Sequence, residues 1–439
     1  FREGAFRHMS IVEITSVEPA APNQERLLAF HIDAPRLGGR NVYDIEFAGW
    51  VIGRETEVRE VEVHVEGTVL RRAPIDQFRQ DVANHYPDHP NARISGFRTW
   101  VSVIGIEPGA ALQLRAVLAD DSRVRLATVH FTHQPLNTGF QPSLRPLMLT
   151  TLGRAGPTWT MRLLSEHPQI VVHRWHPYEL RTARYWWHMT KVLSEPRDPY
   201  HSAQADRFQT NRDTIGHNPF YPEPIAVTPG LFEWMGRDYP ERLGRFCQEQ
   251  AEMTYELIAR GQGQTAPVFM AEKHRADSMP WLVWELYPNA REIFLVRDFR
   301  DVVSSMLAFN VKQGFRAFGP EHIKTDEDFA RYLRNTTIKQ LARSYPKRKD
   351  RAHLVRYEDL MEETESTLRG MLAYLELDAS DDVIAGMIAR ASEETENSRR
   401  HKTSSGSSIA RWKQSLAPGV QEVCNEVFAD VLEQFGYAV

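Results

Sequence analysis

The sequence predicts two architectures in one chain. A smaller all-β, sandwich-like domain comes first, then an α/β unit whose parallel sheet is flanked by helices and carries a P-loop-like turn. Three observations carry this reading. Short runs in the first third alternate apolar and polar residues, the period of strands. Beyond residue 146, short apolar runs alternate with helical stretches, the pattern of βαβ units and a parallel sheet. Between the two, His133 to Pro146 holds Pro135, Gly139, Pro142 and Pro146 without periodicity and reads as a linker. The expected domains are therefore 10–132 and 146–439, joined by 133–145. A length of 439 residues suits such a division, being too long for one ordinary core.

In the β domain, Ile11 to Ile14, Leu28 to Ile32 and Val42 to Ile52 are strand candidates. Val58 to Val65 alternates almost perfectly, with Val61, Val63 and Val65 on one face and Glu60, Glu62 and His64 on the other. That pattern predicts a half-buried strand. One short helix is expected near Asp76 to His85. Trp100 to Ile104, Ala111 to Ala119 and Arg123 to Phe131 complete a sandwich-like series, with a turn at Asp120 to Ser122. In the α/β domain, Leu147 to Thr150, Val268 to Met270, Glu292 to Val296 and His353 to Val355 read as buried strands. Thr158 to His167, Asp301 to Asn310 and Asp359 towards Leu375 read as helices.

Composition narrows the function. Lys plus Arg total 53 against 58 for Asp plus Glu, a net charge of -5. That balance excludes a dedicated nucleic-acid binder, yet permits a local basic pocket. Two cysteines, Cys247 and Cys424, are too few for a disulfide scaffold and point to a reducing, cytoplasmic setting. No run reaches the roughly 20 apolar residues of a membrane span. Phe1 to Met9 lacks the apolar core of a signal peptide. Its His8-Met9 pair reads as the remnant of an expression tag, so 1–9 is set aside.

The strongest chemical signal is Leu149-Thr150-Thr151-Leu152-Gly153-Arg154-Ala155-Gly156-Pro157-Thr158-Trp159. It reads as a strand, a tight glycine-containing loop and a helix start, where backbone N–H groups and the helix dipole make an anion nest. Arg154 adds a forked donor, the Thr158 hydroxyl another, and Trp159 a stacking surface for a nucleobase. A purely structural strand-to-helix turn fits the same residues. An ATP or GTP loop would need G-x-x-x-x-G-K-[ST], which is missing here. A second element, Glu292 to Ser305, is a strand ending in Arg297 followed by a helix bearing Ser305, able to clamp one phosphate. A charged helix cap is its alternative.

Together the two elements resemble the sulfotransferases that use 3′-phosphoadenosine 5′-phosphosulfate (PAPS). The first is similar to their 5′-phosphosulfate loop, [KR]-S-G-T-T-[WL], and the second to their 3′-phosphate element, R-D-P-R-D-V-x-x-S. Arg356-Tyr357-Glu358-Asp359-Leu360 resembles the Y-E-D-L stretch whose Tyr lies near the adenine. Ser405 to Lys413 resembles the G-x-x-G-x-W-[KR] region whose basic loop closes on the 3′-phosphate. The resemblance spans about residues 146 to 439. It implies PAPS as donor, adenosine 3′,5′-bisphosphate as product, in-line sulfuryl transfer to a hydroxyl or amine, and no metal. Donor-binding positions would be Arg154, Ala155, Gly156, Pro157, Thr158, Trp159, Arg297, Ser305 and Tyr357, with Arg399, Arg400 and Lys402 for the 3′-phosphate. The chain departs at Ala155, usually Ser, and at Pro157, usually Thr, where a proline offers no N–H. Phe299 replaces a common Pro, and Ala410 the second Gly.

Arg154 is the expected stabiliser of the leaving phosphate. Two residues compete as general base. His274, in Glu272-Lys273-His274-Arg275, stands in a segment similar to the family's K-x-H or K-x-P, with Lys273 steadying transition-state charge. Glu179, in His176 to Arg181, stands where the tyrosylprotein branch carries a base glutamate. His274 is the first choice on sequence, with a loop histidine and a salt-bridged glutamate as the structural alternatives. Tyr185-Trp186-Trp187-His188, Phe220-Tyr221 and Trp234 suggest an aromatic-lined acceptor pocket, or simply core. The acceptor is expected to be a small molecule or glycan. The β domain resembles accessory sandwiches of bacterial sugar-handling enzymes; a spacer or homodimerisation module fits it as well. The rival functions are a kinase-like phosphotransferase and a non-catalytic carbohydrate-binding scaffold.

Overall fold

The computed structural model describes residues 11–21, 25–65, 67–194, 228, 230–231, 234–277, 279–393 and 408–439. It forms two compact units, residues 1–140 with 186–248, and residues 141–185 with 249–439.

Among the described residues the first unit is built on ten strands: β1 (Val12–Pro19), β2 (Leu27–Ala34), β3 (Arg40–Asn41), β4 (Asp44–Gly53), β5 (Val58–Val65), β6 (Thr68–Pro74), β7 (Gln77–Phe78), β8 (Ile94–Ser102), β9 (Ala111–Leu118) and β10 (Arg123–His133). They form two antiparallel sheets, ordered β3-β1-β10-β9-β5-β6 and β2-β4-β8-β7. Alternate residues such as Val61, Val63, Leu112, Leu114, Phe47 and Phe97 share one core, as a sandwich requires. The helix expected at Asp76 to His85 is shorter: β7 takes its first half, leaving α1 (Gln80–His85). The expected polar face of β5 is not solvated either. Glu62 and His64 are buried, and Glu62 accepts hydrogen bonds from His64 (2.8 Å), Arg123 (2.9 Å) and Arg72 (3.1 Å). Burial alone would raise its pKa, but those three donors hold it at about 2. Alternation predicts a face; only partners decide whether a charge on it can be buried.

The second unit carries a five-stranded, wholly parallel sheet in the order β12-β13-β11-β14-β15, from β11 (Arg145–Thr151), β12 (Ile170–Val171), β13 (Phe269–His274), β14 (Arg291–Val296) and β15 (Ala352–Arg356). Burial on both faces explains why β11 and β14 read as continuous apolar runs. On β14, Phe294 and Val296 join one hydrophobic cluster while Ile293 and Leu295 join another, so each face has its own core. Helix α2 (Pro157–Ser165) packs Met161, Leu163 and Leu164 into the second cluster. The chain order steps from β11 to one side through β12 and β13, and to the other through β14 and β15. That reversal makes the carboxyl ends of the strands beside β11 the expected ligand position of an open α/β sheet.

Three differences from the sequence reading bear on the site. β13 runs on to His274, so Glu272, Lys273 and His274 belong to the strand and do not follow it. The helix expected from Asp301 starts at Phe299 because the Asp298 side chain caps the Arg300 amide, giving Phe299–Gln313. The stretch from Asp359 divides at Glu363 into Tyr357–Glu362 and Thr364–Leu375.

Candidate functional site

Between β11 and α2 the backbone turns left-handed twice, at Arg154 (φ 67°) and at Gly156 (φ 90°). Gly156 is required there for a second reason: a Cβ would drive into the Tyr357 ring. Pro157 follows at the first helical position, where its fixed φ suits the helix and an N–H has no intrahelical partner anyway. The amides of the remaining first turn are the ordinary unsatisfied donors of a helix start.

The end of β14 meets this loop. Arg297 donates to the carbonyls of Arg154 (2.9 Å) and Ser408. Its guanidinium lies 4.7 Å over the Tyr357 ring, and Asp301 Oδ2 is 4.0 Å from it. Arg154 Nε in turn donates to Ser305 Oγ at 3.1 Å. Arg297 and Ser305 thus converge through Arg154. Burial lowers the Arg154 pKa, and the charges of Arg297 and Arg411 add to this, so the loop concentrates cations. Tyr357 bonds Ser408 hydroxyl to hydroxyl at 2.9 Å, and Asp301 accepts the amides of Ala410 and Trp412, both at 2.8 Å. The sequence marks both halves of that latch, Ser405 to Lys413 and the run from Arg297 to Asp301, but not that Asp301 would accept the amides of Ala410 and Trp412. Arg399, Arg400 and Lys402 lie outside the described residues, as do Phe220 and Tyr221. Ala155 is buried, and Trp159 is half-buried against the cluster under α2, its indole Nε1 without a hydrogen-bond partner among the described residues.

The chain belongs to the sulfotransferase family. The model of that family matches residues 146–382, more than half of the sequence, and covers the nest, β13 and β14. No curated protein sequence matches the chain. Among solved structures it is similar to sulfotransferase STF9 from Mycobacterium avium, at 16% identity over 69% of this chain and 79% of that one, TM-score 0.38. It is also similar to the sulfotransferase domain of the Synechococcus PCC 7002 olefin synthase (17%, 68% and 96%, 0.37) and to mouse sulfotransferase SULT7A1 complexed with PAP (12%, 68% and 88%, 0.39). No helix among the described residues of the sulfotransferase is long and apolar enough to cross a membrane.

The two rivals for the base fall on opposite sides of β13. Lys273 shares the face of Ala271 and Leu149, towards α2, and its Nζ donates to Thr158 Oγ1 (3.0 Å) and to the Pro177 carbonyl. Glu179 Oε1 lies 3.6 Å from that Nζ and its side chain is 55% exposed. Burial brings the Lys273 pKa down to about 8, with Glu179 opposing the fall. His274 points to the other face and its side chain has no exposed surface. Burial, then the charge of Arg184, push its pKa down to about 3. Arg184 NH1 lies 3.1 Å from His274 Nδ1, and a guanidinium has only donors, so the imidazole lone pair is engaged there.

Around His274 the sulfotransferase buries a charge network with no signature in the sequence. Glu292 accepts from Thr150 and, at 3.2 Å, from Arg348. Glu272 accepts the Tyr255 hydroxyl (2.7 Å) and the amides of Ala183 (2.7 Å) and Arg184 (3.0 Å), at the start of α3 (Thr182–Ser194). Of the aromatic residues proposed for the acceptor, Trp187 is fully buried core and Tyr185 is exposed.

Proposed function

We propose that the enzyme takes a sulfuryl group from PAPS and passes it in line to a hydroxyl or amine of a small-molecule or glycan acceptor, with Glu179 as general base. The observation carrying this reading is the trio at the start of α2: Lys273 Nζ within 3.0 Å of Thr158 Oγ1 and 3.6 Å of Glu179 Oε1. It sets a carboxylate open to solvent beside a cation, at the mouth of an anion nest.

The donor set fits a nucleotide bearing several negative charges. Arg154, Arg297 and Arg411 gather at the loop, with the Asp301 carboxylate 4.0 Å from Arg297, and the helix start adds amide donors. PAPS, when bound, supplies an activated sulfuryl group with phosphate as its leaving group. Arg154 and the first turn of α2 would hold the leaving phosphate. Arg297 and Ser305, with Arg399, Arg400 and Lys402, would hold the 3′-phosphate, and Tyr357 would flank the base. Glu179 takes the acceptor proton, and Lys273 orients Glu179 while balancing transition-state charge. His274, with its lone pair spent and no solvent path, is assigned to holding Arg184. The catalytic domain is taken as 146–439 and the accessory β domain as 10–132.

Calorimetry with adenosine 3′,5′-bisphosphate and with ATP tests the donor. Tight binding of the bisphosphate without magnesium is the expected result. ATP preference would point to a phosphotransferase, and binding of neither to a scaffold. Labelled PAPS with a panel of phenols and glycans then identifies the acceptor class.

A further inference from the structure

Beside Glu179 the enzyme keeps two cations that its own carboxylates do not match. Arg184 is satisfied, donating to His274 Nδ1 and, at 2.6 Å, to Asp277. Lys273 pairs with Glu179, and Glu272 spends its oxygens on two amides and a tyrosine hydroxyl. Arg181 and Arg275 remain. Arg181 immediately precedes α3, and its Nε is sealed from solvent with no acceptor among the described residues. Arg275 immediately follows β13 and is exposed. Neither side chain makes a hydrogen bond or ion pair with a described residue. Burial lowers the Arg181 pKa, and the charges of Arg184 and Arg275 push it the same way, against Glu179 and Glu272. A half-buried guanidinium with a sealed, unpartnered Nε beside other cations is a costly arrangement unless an anion arrives to complete it. The same segment exposes Trp175, Leu180 and Tyr185, large apolar side chains able to carry an organic frame.

We propose that the acceptor is an acid, presenting its hydroxyl to Glu179 while a carboxylate, sulfate or phosphate on the same molecule pairs with Arg181 and Arg275. The inference rests on the sulfuryl-transfer reading and names its acceptor class. In the step, the acceptor oxygen bonds to sulfur, its proton goes to Glu179, and the sulfur–phosphate oxygen bond breaks with its electron pair leaving on phosphate.

The competing source of an oxyanion is the donor itself, and one experiment separates the two. The full-length enzyme is saturated with adenosine 3′,5′-bisphosphate and titrated with 4-hydroxyphenylacetate or its uncharged amide, as wild type, Arg181→Gln, Arg181→Lys and Arg275→Gln. The acid should bind about tenfold or more tightly than the amide, the value of one charge-assisted hydrogen bond. Arg181→Gln should erase that preference, Arg275→Gln should reduce it and Arg181→Lys should keep part of it, all with unchanged bisphosphate affinity, which also certifies folding. Equal binding of acid and amide to wild type, or a preference that survives Arg181→Gln, overturns the proposal. Parallel loss of bisphosphate binding in Arg181→Gln overturns it too, assigning Arg181 to the donor. Failure of wild type to bind the bisphosphate at all is a different result, and strikes the donor reading instead.

Discussion

At the end of β13 a strand's alternation separates two chemistries one residue apart. Lys273 faces Thr158 and Glu179, whereas His274 faces Arg184 across a sealed interior. Glu179→Gln should therefore lower turnover by roughly 10²–10⁴-fold while bisphosphate affinity persists. His274→Gln should leave turnover far less affected and lower the melting temperature, because it disturbs a buried partner of Arg184. Steady-state kinetics and thermal melts of both variants decide the matter, and the reverse pattern would return the base to His274. Lys273 adds a pH signature. Its folded pKa of about 8 lies below the ordinary 10.5, so between those values the unfolded chain binds more protons. Stability should rise as pH climbs from 8 to 10.5, with the whole penalty present below 8, a span of about 3 kcal/mol. Turnover should fall over the same approach to deprotonation if the ammonium orients Glu179. Lys273→Met should flatten the stability rise relative to wild type in denaturant titrations across that window.

The turn from β11 into α2 couples backbone geometry to packing. Gly156 combines φ 90° with a Tyr357 ring where a Cβ would sit. Gly156→Ala should cost about 1–3 kcal/mol for the left-handed residue and about as much again for the collision. In a Tyr357→Ala background only the first cost should remain, so a double-mutant cycle should show coupling of about 1–3 kcal/mol. An equal penalty in both backgrounds would mean that backbone strain acts alone. Elements such as β11, β14 and α2 were legible in the sequence because their burial is apolar and one-sided signals are not needed to see it. β13 was cut short because Glu272, Lys273 and His274 look like a loop. They are buried only because Tyr255, Thr158 and Arg184 wait in space, partners that no local pattern announces. Glu62 on β5 misled for the same reason.

Across the whole molecule, motifs in chain order point to the loops of the candidate site, since each loop carries its own glycine, arginine or tyrosine. Which residues meet was not legible. Lys273 and Thr158 are 115 positions apart, and Arg297 reaches Ser408 over 111. The balance of charge shows the same separation of scales. The chain is net -5, yet Arg154, Arg297 and Arg411 act on one another within the site. If that local field recruits the donor, bisphosphate binding must weaken with salt even though the protein as a whole repels anions, since screening shortens from about 10 Å at 0.1 M to about 3 Å at 1 M. Arg297→Gln should weaken binding on the order of 10²-fold, the loss of a buried charged contact, and should also make the salt dependence shallower. The mild acidity of the remaining surface would leave both effects in place, because exposed charges more than a Debye length away are screened first. Calorimetric titrations of wild type and Arg297→Gln at several salt concentrations measure both quantities. A salt slope identical in the two proteins would show that Arg297 props the Ser408 to Trp412 segment without itself meeting the nucleotide.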